Sequence, residues 1–191
     1  MPHDTAPVSV IIPAYNAATS IQQALKSVAA QTLPPAEVIV VDDGSSDDTI
    51  AMAKAMQRLF PAGTFIVISQ TNKGAGAARN RAIDAATKSY VAFLDADDEW
   101  LPTKLERSMD VLTSKNYTLV AHDYMDVMPN GEEHVDCAQR FNEGPDSFVT
   151  LYLKGYIPSI SVVTQRAAVL DVGGFDESLR NAQDFDLWLN I

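Results

Sequence analysis

Cysteine is nearly absent from this chain of 191 residues, in which Cys137 is the only one. A single cysteine excludes an internal disulfide and suits a reducing compartment. Basic residues are also scarce: 14 lysines and arginines stand against 25 aspartates and glutamates, and the formal net charge is −11. Nucleic-acid phosphates are held by a surplus of basic side chains, so we expect no nucleic-acid partner.

Long apolar runs are missing as well, and none approaches the roughly 20 residues that a membrane helix needs. Residues 1–5 lack the basic start and apolar core of a signal peptide. We therefore predict a cytoplasmic protein, and peripheral attachment to the inner face of the membrane stays open. Residues 184–191 read as the first turns of a helix, so we expect the natural protein to continue beyond Ile191.

Four apolar, largely β-branched stretches alternate with helix-like stretches between residues 8 and 115. The apolar stretches are 8–12, 36–41, 65–68 and 90–94, and the predicted helices cover 20–31, a segment ending at Phe60, 77–86 and 102–114. Continuous apolar strands separated by amphipathic helices predict a parallel sheet that is covered on both faces. We predict a doubly wound, Rossmann-like α/β fold for residues 8–115.

The pattern changes after residue 115. A weak alternation over 119–127 leads to a turn at 129–131, which predicts strands of mixed direction. Ser147 is the predicted cap of a short helix to Lys154, followed by a strand over 161–164 and a helix over 165–172. No linker or repeat divides the chain, so we predict a single domain over 1–191 with a mixed C-terminal part at 116–191.

Two of the predicted strands end in residues that suit a nucleotide. In an open α/β sheet, ligands bind beyond the carboxyl ends of the strands. The first strand runs into Pro13, Ala14 and Tyr15, and the aromatic ring can stack on a base. The second ends at Asp42 and Asp43, which can accept a hydrogen bond from a base N–H or a ribose hydroxyl.

The fourth strand ends in a cluster of acids, Asp95, Asp97 and Asp98. Clustered carboxylates repel one another and resist desolvation, and a hard divalent cation relieves both costs. A solvated acidic loop that caps the next helix is the alternative interpretation. At the edge of a nucleotide crevice, the cluster is suited to hold the metal on a diphosphate.

Glycine-rich phosphate loops are absent at the first strand–helix turn. The chain has neither the Gly-x-Gly-x-x-Gly pattern there nor a Gly-x-x-x-x-Gly-Lys-Ser/Thr pattern. Gly74 and Gly76 come after the third strand, where small residues equally allow close helix–sheet packing. Arg79, on the helix that follows, can contact a nucleotide or simply face solvent.

Six short motifs follow one another along the chain: VSVIIPAYN at 8–16, VVDDGSSD at 40–47, NKGAGAARN at 72–80, FLDADD at 93–98, GGFD at 173–176 and QDFDLW at 183–188. In this order they resemble the family 2 glycosyltransferases of the GT-A type. The resemblance covers nearly the whole chain. It implies a GT-A fold with a nucleotide-binding part over 8–115 and an acceptor-side part over 116–191.

The resemblance further implies an inverting transferase of cell-surface polysaccharide biosynthesis. Such an enzyme moves a sugar from a nucleoside diphosphate-sugar, here expected to be UDP-linked, to a hydroxyl of a carbohydrate or lipid-linked acceptor. Mg²⁺ or Mn²⁺ is the implied cofactor. Carried over by motif, the donor-binding residues are Pro13, Ala14, Tyr15, Asp42 or Asp43, Arg79, Asp95 and Asp97, and the metal-binding residues are Asp97 and Asp98.

Asp184 matches the family's general base. A helix N-cap is the alternative for this residue, since core-like positions follow it. Gln183 departs from the family, which usually has an acid there. Two other functions stay open: a nucleotide-sugar-binding module without turnover, and a sugar-phosphate nucleotidyltransferase, which would be expected to carry a glycine-rich basic loop after its first strand.

Overall fold

The computed structural model describes residues 5–155 and 157–191. The prediction about a signal peptide rests mainly on residues 1–4, which lie outside the described part. The first half of the chain alternates strands and helices: β1 (Ala6–Ala14), α1 (Ile21–Ala29), β2 (Pro35–Asp42), α2 (Thr49–Ala55), β3 (Phe65–Ser69), α3 (Ala75–Ala85), β4 (Tyr90–Phe93) and α4 (Lys104–Lys115). A 3₁₀ turn at Gln57–Leu59 follows α2.

The second half is less regular. Its elements are β5 (Leu119–Val120), β6 (Tyr124–Met128), β7 (Gly131–Val135), α5 (Cys137–Phe141), α6 (Ser147–Lys154), β8 (Val163–Gln165), α7 (Arg166–Asp171) and α8 (Gln183–Asn190). A 3₁₀ turn at Ser159–Ser161 precedes β8. Strands β6 and β7 pair across the predicted turn as an antiparallel hairpin, which forms a separate two-stranded sheet.

One six-stranded sheet organises the molecule, in the order β3-β2-β1-β4-β8-β5. Strands β1 to β4 are parallel, as predicted. Strand β8 runs antiparallel to both β4 and β5. The mixed direction of the C-terminal part is therefore confirmed, and this part completes the same sheet.

Apolar side chains alternate between the two faces of the sheet, because successive strand residues point to opposite sides. On one face, Val10 and Ile12 join the cluster that includes Leu25 of α1 and Leu105 of α4. On the other face, Ile11 joins the cluster that includes residues of α3 and α8. Helices cover both faces, so the doubly wound architecture is confirmed. Within the described part of the chain, no helix combines the length and apolarity that crossing a membrane requires.

Several element boundaries differ from the predictions. Strand β1 continues through Pro13, which pairs with Val41 of β2 instead of ending the strand. Helix α4 begins at Lys104, two residues after Pro102. The N-cap of α6 is Asp146, not Ser147, because the Asp146 carboxylate accepts the N–H of Val149.

A buried glutamate links neighbouring segments by hydrogen bonds at the amino ends of the parallel strands. Glu37 of β2 is 5% exposed and accepts hydrogen bonds from Ser9 Oγ, Thr87 N and Thr87 Oγ1. Burial alone would raise the pKa of Glu37, but these hydrogen bonds and the nearby Lys88 outweigh it and lower the pKa below its usual value near 4.5. The ionised form therefore stabilises the fold, at the edge opposite the carboxyl ends of the parallel strands.

Candidate functional site

A crevice of about 370 Å³ lies at the carboxyl ends of β1, β2 and β4. It brings together seven of the residues predicted from sequence: Pro13, Ala14, Tyr15, Asp43, Arg79, Asp95 and Asp97. Asp42, Asp98 and Asp184 do not line it. The lining residues outside the predicted set include Asn16 and Asn72, which lie in loops, and Ala75, the first residue of α3.

Tyr15 projects from a loop that is held in place by the segment between β2 and α2 and by the first residue of α2. The N–H of Asn16 donates to Ser45 Oγ at 2.9 Å, and the N–H of Ala17 donates to Thr49 Oγ1 at 2.7 Å. Asn16 adopts a positive φ of 50°, which an asparagine tolerates. The Tyr15 side chain is left 55% exposed, so its ring is available to stack on a planar ligand.

Asp43 is a buried carboxylate at the wall of the crevice. It is 3% exposed and accepts three hydrogen bonds, from Gln70 Nε2 at 2.8 Å, from Lys73 N at 2.9 Å and from Gly74 N at 2.8 Å. These donors fix the carboxylate and at the same time hold the loop at 72–74 against the crevice. Hydrogen bonds to a charged acceptor are the stronger kind.

Asp42 is oriented differently. It is 1% exposed, its Oδ2 accepts only a long hydrogen bond of 3.3 Å from Ser45 N, and its Oδ1 has no partner among the described residues. Of the two adjacent acids, only Asp43 lines the crevice.

Gly44 allows the second and third strand ends to approach each other closely. Its φ is +75°, and a Cβ there would lie 2.9 Å from the backbone nitrogen of Asn72. A side chain at this position would therefore push the loop at 72–74 away and strain the backbone.

Arg79 and Asp95 form an ion pair on the opposite wall. Arg79 Nη2 lies 2.6 Å from Asp95 Oδ1, and Arg79 is 8% exposed. The guanidinium also sits 5.4 Å from the centroid of the Phe175 ring, a cation–π contact. Its Nε has no hydrogen-bond partner among the described residues. Arg79 thus offsets one charge of the acidic cluster from within the crevice.

The other two acids of the cluster differ in environment. Asp97 is exposed and lines the crevice, whereas Asp98 is half-buried outside it. Burial raises the pKa of Asp98 to about 6, and the neighbouring charges of Asp95, Asp97 and Asp126 contribute to the increase. Asp126, on β6, was not predicted to approach the cluster, because the sequence does not reveal how the hairpin folds back.

Asp184 lies inside the first turn of α8. Ala182, with a φ of 57°, is the N-cap residue, so the alternative of an Asp184 N-cap is wrong. Asp184 Oδ2 accepts the N–H of Ser159 at 3.2 Å and lies 3.4 Å from Ser159 Oγ, while Oδ1 accepts the N–H of Phe185 at 2.9 Å. The half-buried carboxylate is therefore oriented by the 3₁₀ turn before β8.

The acidic cluster fits a hard cation by its chemistry. All its donors are carboxylate oxygens, the ligands that hard cations prefer. Burial, and after it the charges of the neighbouring acids, raises the pKa of Asp98, and a bound cation would offset both effects. Among the described residues, no three His, Cys, Asp or Glu side chains come together in a ready-made metal site. Asp97 and Asp98, which have no cationic partner among the described residues, are the members of the cluster that could ligate such an ion.

The mostly parallel sheet, with β8 antiparallel beside β4 and the crevice at the carboxyl edge, defines a GT-A type fold. S. aureus TarS 1–349, solved in complex with UDP-GlcNAc, matches 96% of this chain with a TM-score of 0.79 and 26% identity, over 52% of its own length. The mannosyltransferase PcManGT from Pyrobaculum calidifontis, solved with GDP-Man and Mn²⁺, matches 98% of this chain with a TM-score of 0.71 and 24% identity, over 54% of its length.

The family is equally clear from sequence. Residues 9–170 match the family described as "Glycosyl transferase family 2", and this chain belongs to that family. The amylovoran biosynthesis glycosyltransferase AmsB of Erwinia amylovora is 32% identical over 187 residues, which cover 94% of this chain and 62% of AmsB. The chain thus spans between about half and two thirds of the length of these relatives.

Proposed function

We propose that the full-length protein transfers a sugar from a nucleoside diphosphate-sugar, most simply a UDP-sugar, to a hydroxyl of a carbohydrate or lipid-linked acceptor, with inversion at the anomeric carbon. The observation that carries this proposal is the crevice in a family 2 chain, where an exposed aromatic ring, a fixed carboxylate and an acidic cluster meet at one sheet edge. The TarS complex with UDP-GlcNAc supports a uridine nucleotide as the donor. The AmsB relative supports a role in polysaccharide biosynthesis.

The base binds at the wall formed by β1 and β2, and the ribose extends from it toward Asp95. Tyr15 stacks on the base, with the backbone of Pro13 and Ala14 beside it. Asp43, rather than Asp42, accepts the base N–H, because Asp43 faces the crevice and Asp42 does not. Asp95 contacts the ribose through the oxygen that Arg79 leaves free.

The diphosphate lies over the acidic cluster. Asp97 and Asp98 hold Mg²⁺ or Mn²⁺, which when bound supplies a Lewis acid for the leaving diphosphate. PcManGT, which has the same fold, was solved with Mn²⁺. Arg79 offsets the charge of Asp95, so the charge left uncompensated falls on the two proposed ligands.

Asp184 accepts the proton of the acceptor hydroxyl as its oxygen attacks the anomeric carbon. The bond between this oxygen and the sugar forms as the bond to the diphosphate breaks, and the proton ends on the Asp184 carboxylate. Ser159 orients the carboxylate through its N–H. Because attack and departure occur on opposite sides of the anomeric carbon, a single displacement inverts its configuration.

The experiment is nucleoside diphosphate release by the full-length protein, with UDP-GlcNAc or GDP-mannose as the donor, Mn²⁺ and a panel of hydroxyl-bearing acceptors. We expect Asp184→Asn to reduce turnover by about 100-fold or more, as for loss of a general base, while leaving UDP affinity unchanged. Asp186→Asn is the matched control, since Asp186 is a second acid in the first turn of α8. Near-normal turnover of Asp184→Asn would remove Asp184 from the mechanism.

The metal site is tested by calorimetric titration of UDP with and without Mn²⁺. We expect Mn²⁺ to tighten UDP binding to the wild-type protein and to have no such effect on Asp97→Asn/Asp98→Asn. Asp84→Asn/Asp110→Asn, which removes two exposed acids on α3 and α4, is the control for the change in net charge. A double variant that still responds to Mn²⁺ would refute the assignment of these two ligands.

A further inference from the structure

Helix α3 contacts both halves of the proposed site through two consecutive residues. Arg79 reaches the donor side, where it pairs with Asp95 at 2.6 Å. Asn80 reaches the other way, toward the turn that joins α7 to α8, and lies outside the crevice. One rigid helix therefore connects the acidic cluster to the segment that leads to Asp184.

The Asn80 amide forms a clamp on this turn. Its Nδ2 donates to the carbonyl oxygen of Phe175 at 2.8 Å and to Glu177 Oε1 at 2.9 Å. Its Oδ1 accepts the N–H of Phe175 at 2.8 Å. Both amide hydrogens and the amide oxygen are thus engaged, and both backbone groups of Phe175 are satisfied by one side chain.

Gly174 shows how closely the turn is fitted to this amide. Its φ is +77°, and a Cβ there would lie 2.6 Å from Asn80 Oδ1. Such a separation is impossible without a shift of the turn or of Asn80. The turn and the amide are therefore in close contact, with no room for a side chain between them.

The Phe175 side chain transmits this position to α8. Phe175 is 2% exposed, and its ring centroid lies 5.5 Å from that of Phe93 and 6.2 Å from that of Trp188. Trp188 lies one helical turn after Asp184 on α8, and its Nε1 donates to the carbonyl oxygen of Ile157 at 3.1 Å. Interiors are close-packed, so a displacement of Phe175 would displace Trp188 and with it α8.

We propose that Asn80 is a positioning residue, which sets the place of α8, and hence of Asp184, relative to the donor crevice. This inference rests on the proposed role of Asp184 as the general base. Asn80 acts through Phe175 and Trp188. Through the consecutive residues Arg79 and Asn80, α3 thus links the donor-binding side of the site to the position of the proposed general base.

The test compares Asn80→Ala and Asn80→Asp with Arg81→Ala, an exposed neighbour on α3 that serves as the control. With the donors and acceptors named above, we expect the kcat of Asn80→Ala to fall by about tenfold to 100-fold, since an error of about 1 Å in the position of a reacting group has this effect. The donor KM and the Kd of UDP should stay unchanged. Asn80→Asp should lose activity similarly, because its carboxylate would face Glu177 and the Phe175 carbonyl.

Hydrogen exchange supplies a readout that is independent of turnover. In Asn80→Ala we expect faster exchange of the amides in α8 and in residues 173–177, with exchange in α1 unchanged. Unchanged exchange in α8, or an equal loss in kcat and UDP affinity, would overturn the positioning role. A wild-type protein that releases no nucleoside diphosphate would refute the proposed function instead, and the exchange comparison would still decide whether Asn80 holds α8.

Discussion

The two adjacent acids at the end of β2 lead to the sharpest prediction. Asp43→Asn and Asp42→Asn remove the same charge one residue apart, yet the two side chains have different surroundings. In Asp43→Asn, the amide nitrogen must replace one of two oxygens, and each of these accepts a backbone N–H, from Lys73 or from Gly74. Either orientation therefore leaves one N–H without an acceptor.

The magnitudes follow from this geometry. A buried donor that loses its acceptor costs about 1–3 kcal/mol, and a hydrogen bond to a charged group is worth about 1.5–3 kcal/mol. We expect Asp43→Asn to lower the free energy of unfolding by about 1–3 kcal/mol and to weaken UDP binding by about tenfold to 100-fold. Asp42→Asn can place its amide nitrogen at the Oδ1 site, which has no partner. Its stability should be equal to or higher than that of the wild type, because a buried charge disappears, and its UDP affinity should not change.

Urea unfolding and calorimetric titration of UDP in the presence of Mn²⁺ measure both quantities. Gln70→Ala is the control for indirect effects, since it removes a donor to Asp43 at 2.8 Å and leaves the carboxylate in place. If Gln70→Ala loses as much UDP affinity as Asp43→Asn, the weaker binding comes from displacement of the loop at 72–74 and not from loss of the carboxylate. Weaker UDP binding by Asp42→Asn than by Asp43→Asn would refute the argument from orientation.

Three further predictions concern the crevice and the fold. Tyr15→Ala should weaken UDP binding by about 1–3 kcal/mol, the usual contribution of base stacking. Tyr15→Phe, which keeps the ring, should bind UDP normally in the same titration. Equal losses of UDP affinity in the two variants would exclude stacking. Glu37 has a lowered folded-state pKa, so its stabilisation is complete above its unfolded pKa and is lost as the pH falls through the folded value. The difference in unfolding free energy between wild type and Glu37→Gln should therefore be largest above about pH 5 and shrink toward acid, and a pH-independent difference would contradict the assignment. Gly44→Ala should lower Tm more than Gly63→Ala in a thermal scan. Both glycines have a positive φ, but of the two only Gly44 has an atom within 4 Å of the added Cβ. Equal decreases in Tm would mean that backbone strain alone, and not this close contact, causes the destabilisation.

The sequence predicted the parallel half of the fold because that half is locally encoded. Four apolar strands separated by helices have few arrangements in which both faces of the resulting sheet are buried. Strands β1 to β4 form as expected. Strand β8 could not be placed in this way. Its insertion between β4 and β5 depends on contacts with β4, which lies some 70 residues earlier, and a three-residue strand carries no periodicity that reveals them.

The residues of the crevice were predicted from position more than from chemistry. Tyr15, Asp43 and Asp97 follow strand ends, and the rule that parallel strands share a carboxyl edge is enough to bring them together. The same rule could not separate Asp42 from Asp43, because side-chain orientation at a strand end depends on the loops that supply donors. Nor could it reveal that Asn80 clamps the turn at Phe175, 95 residues later.

The charges around the end of β4 explain why we propose different roles for Asp95, Asp97 and Asp98. Asp95 is paired with Arg79, whose side chain is buried. Moving Arg79 away would leave the Asp95 carboxylate without a cationic partner. Asp97 and Asp98 have no cation among the described residues, and the raised pKa of Asp98 reflects its burial and the repulsion of its neighbours. A divalent ion with its diphosphate would gain most from these two carboxylates, since it relieves their repulsion. Asp184 is on α8 and does not line the crevice, so the proposed proton acceptor is a different residue from the proposed metal ligands.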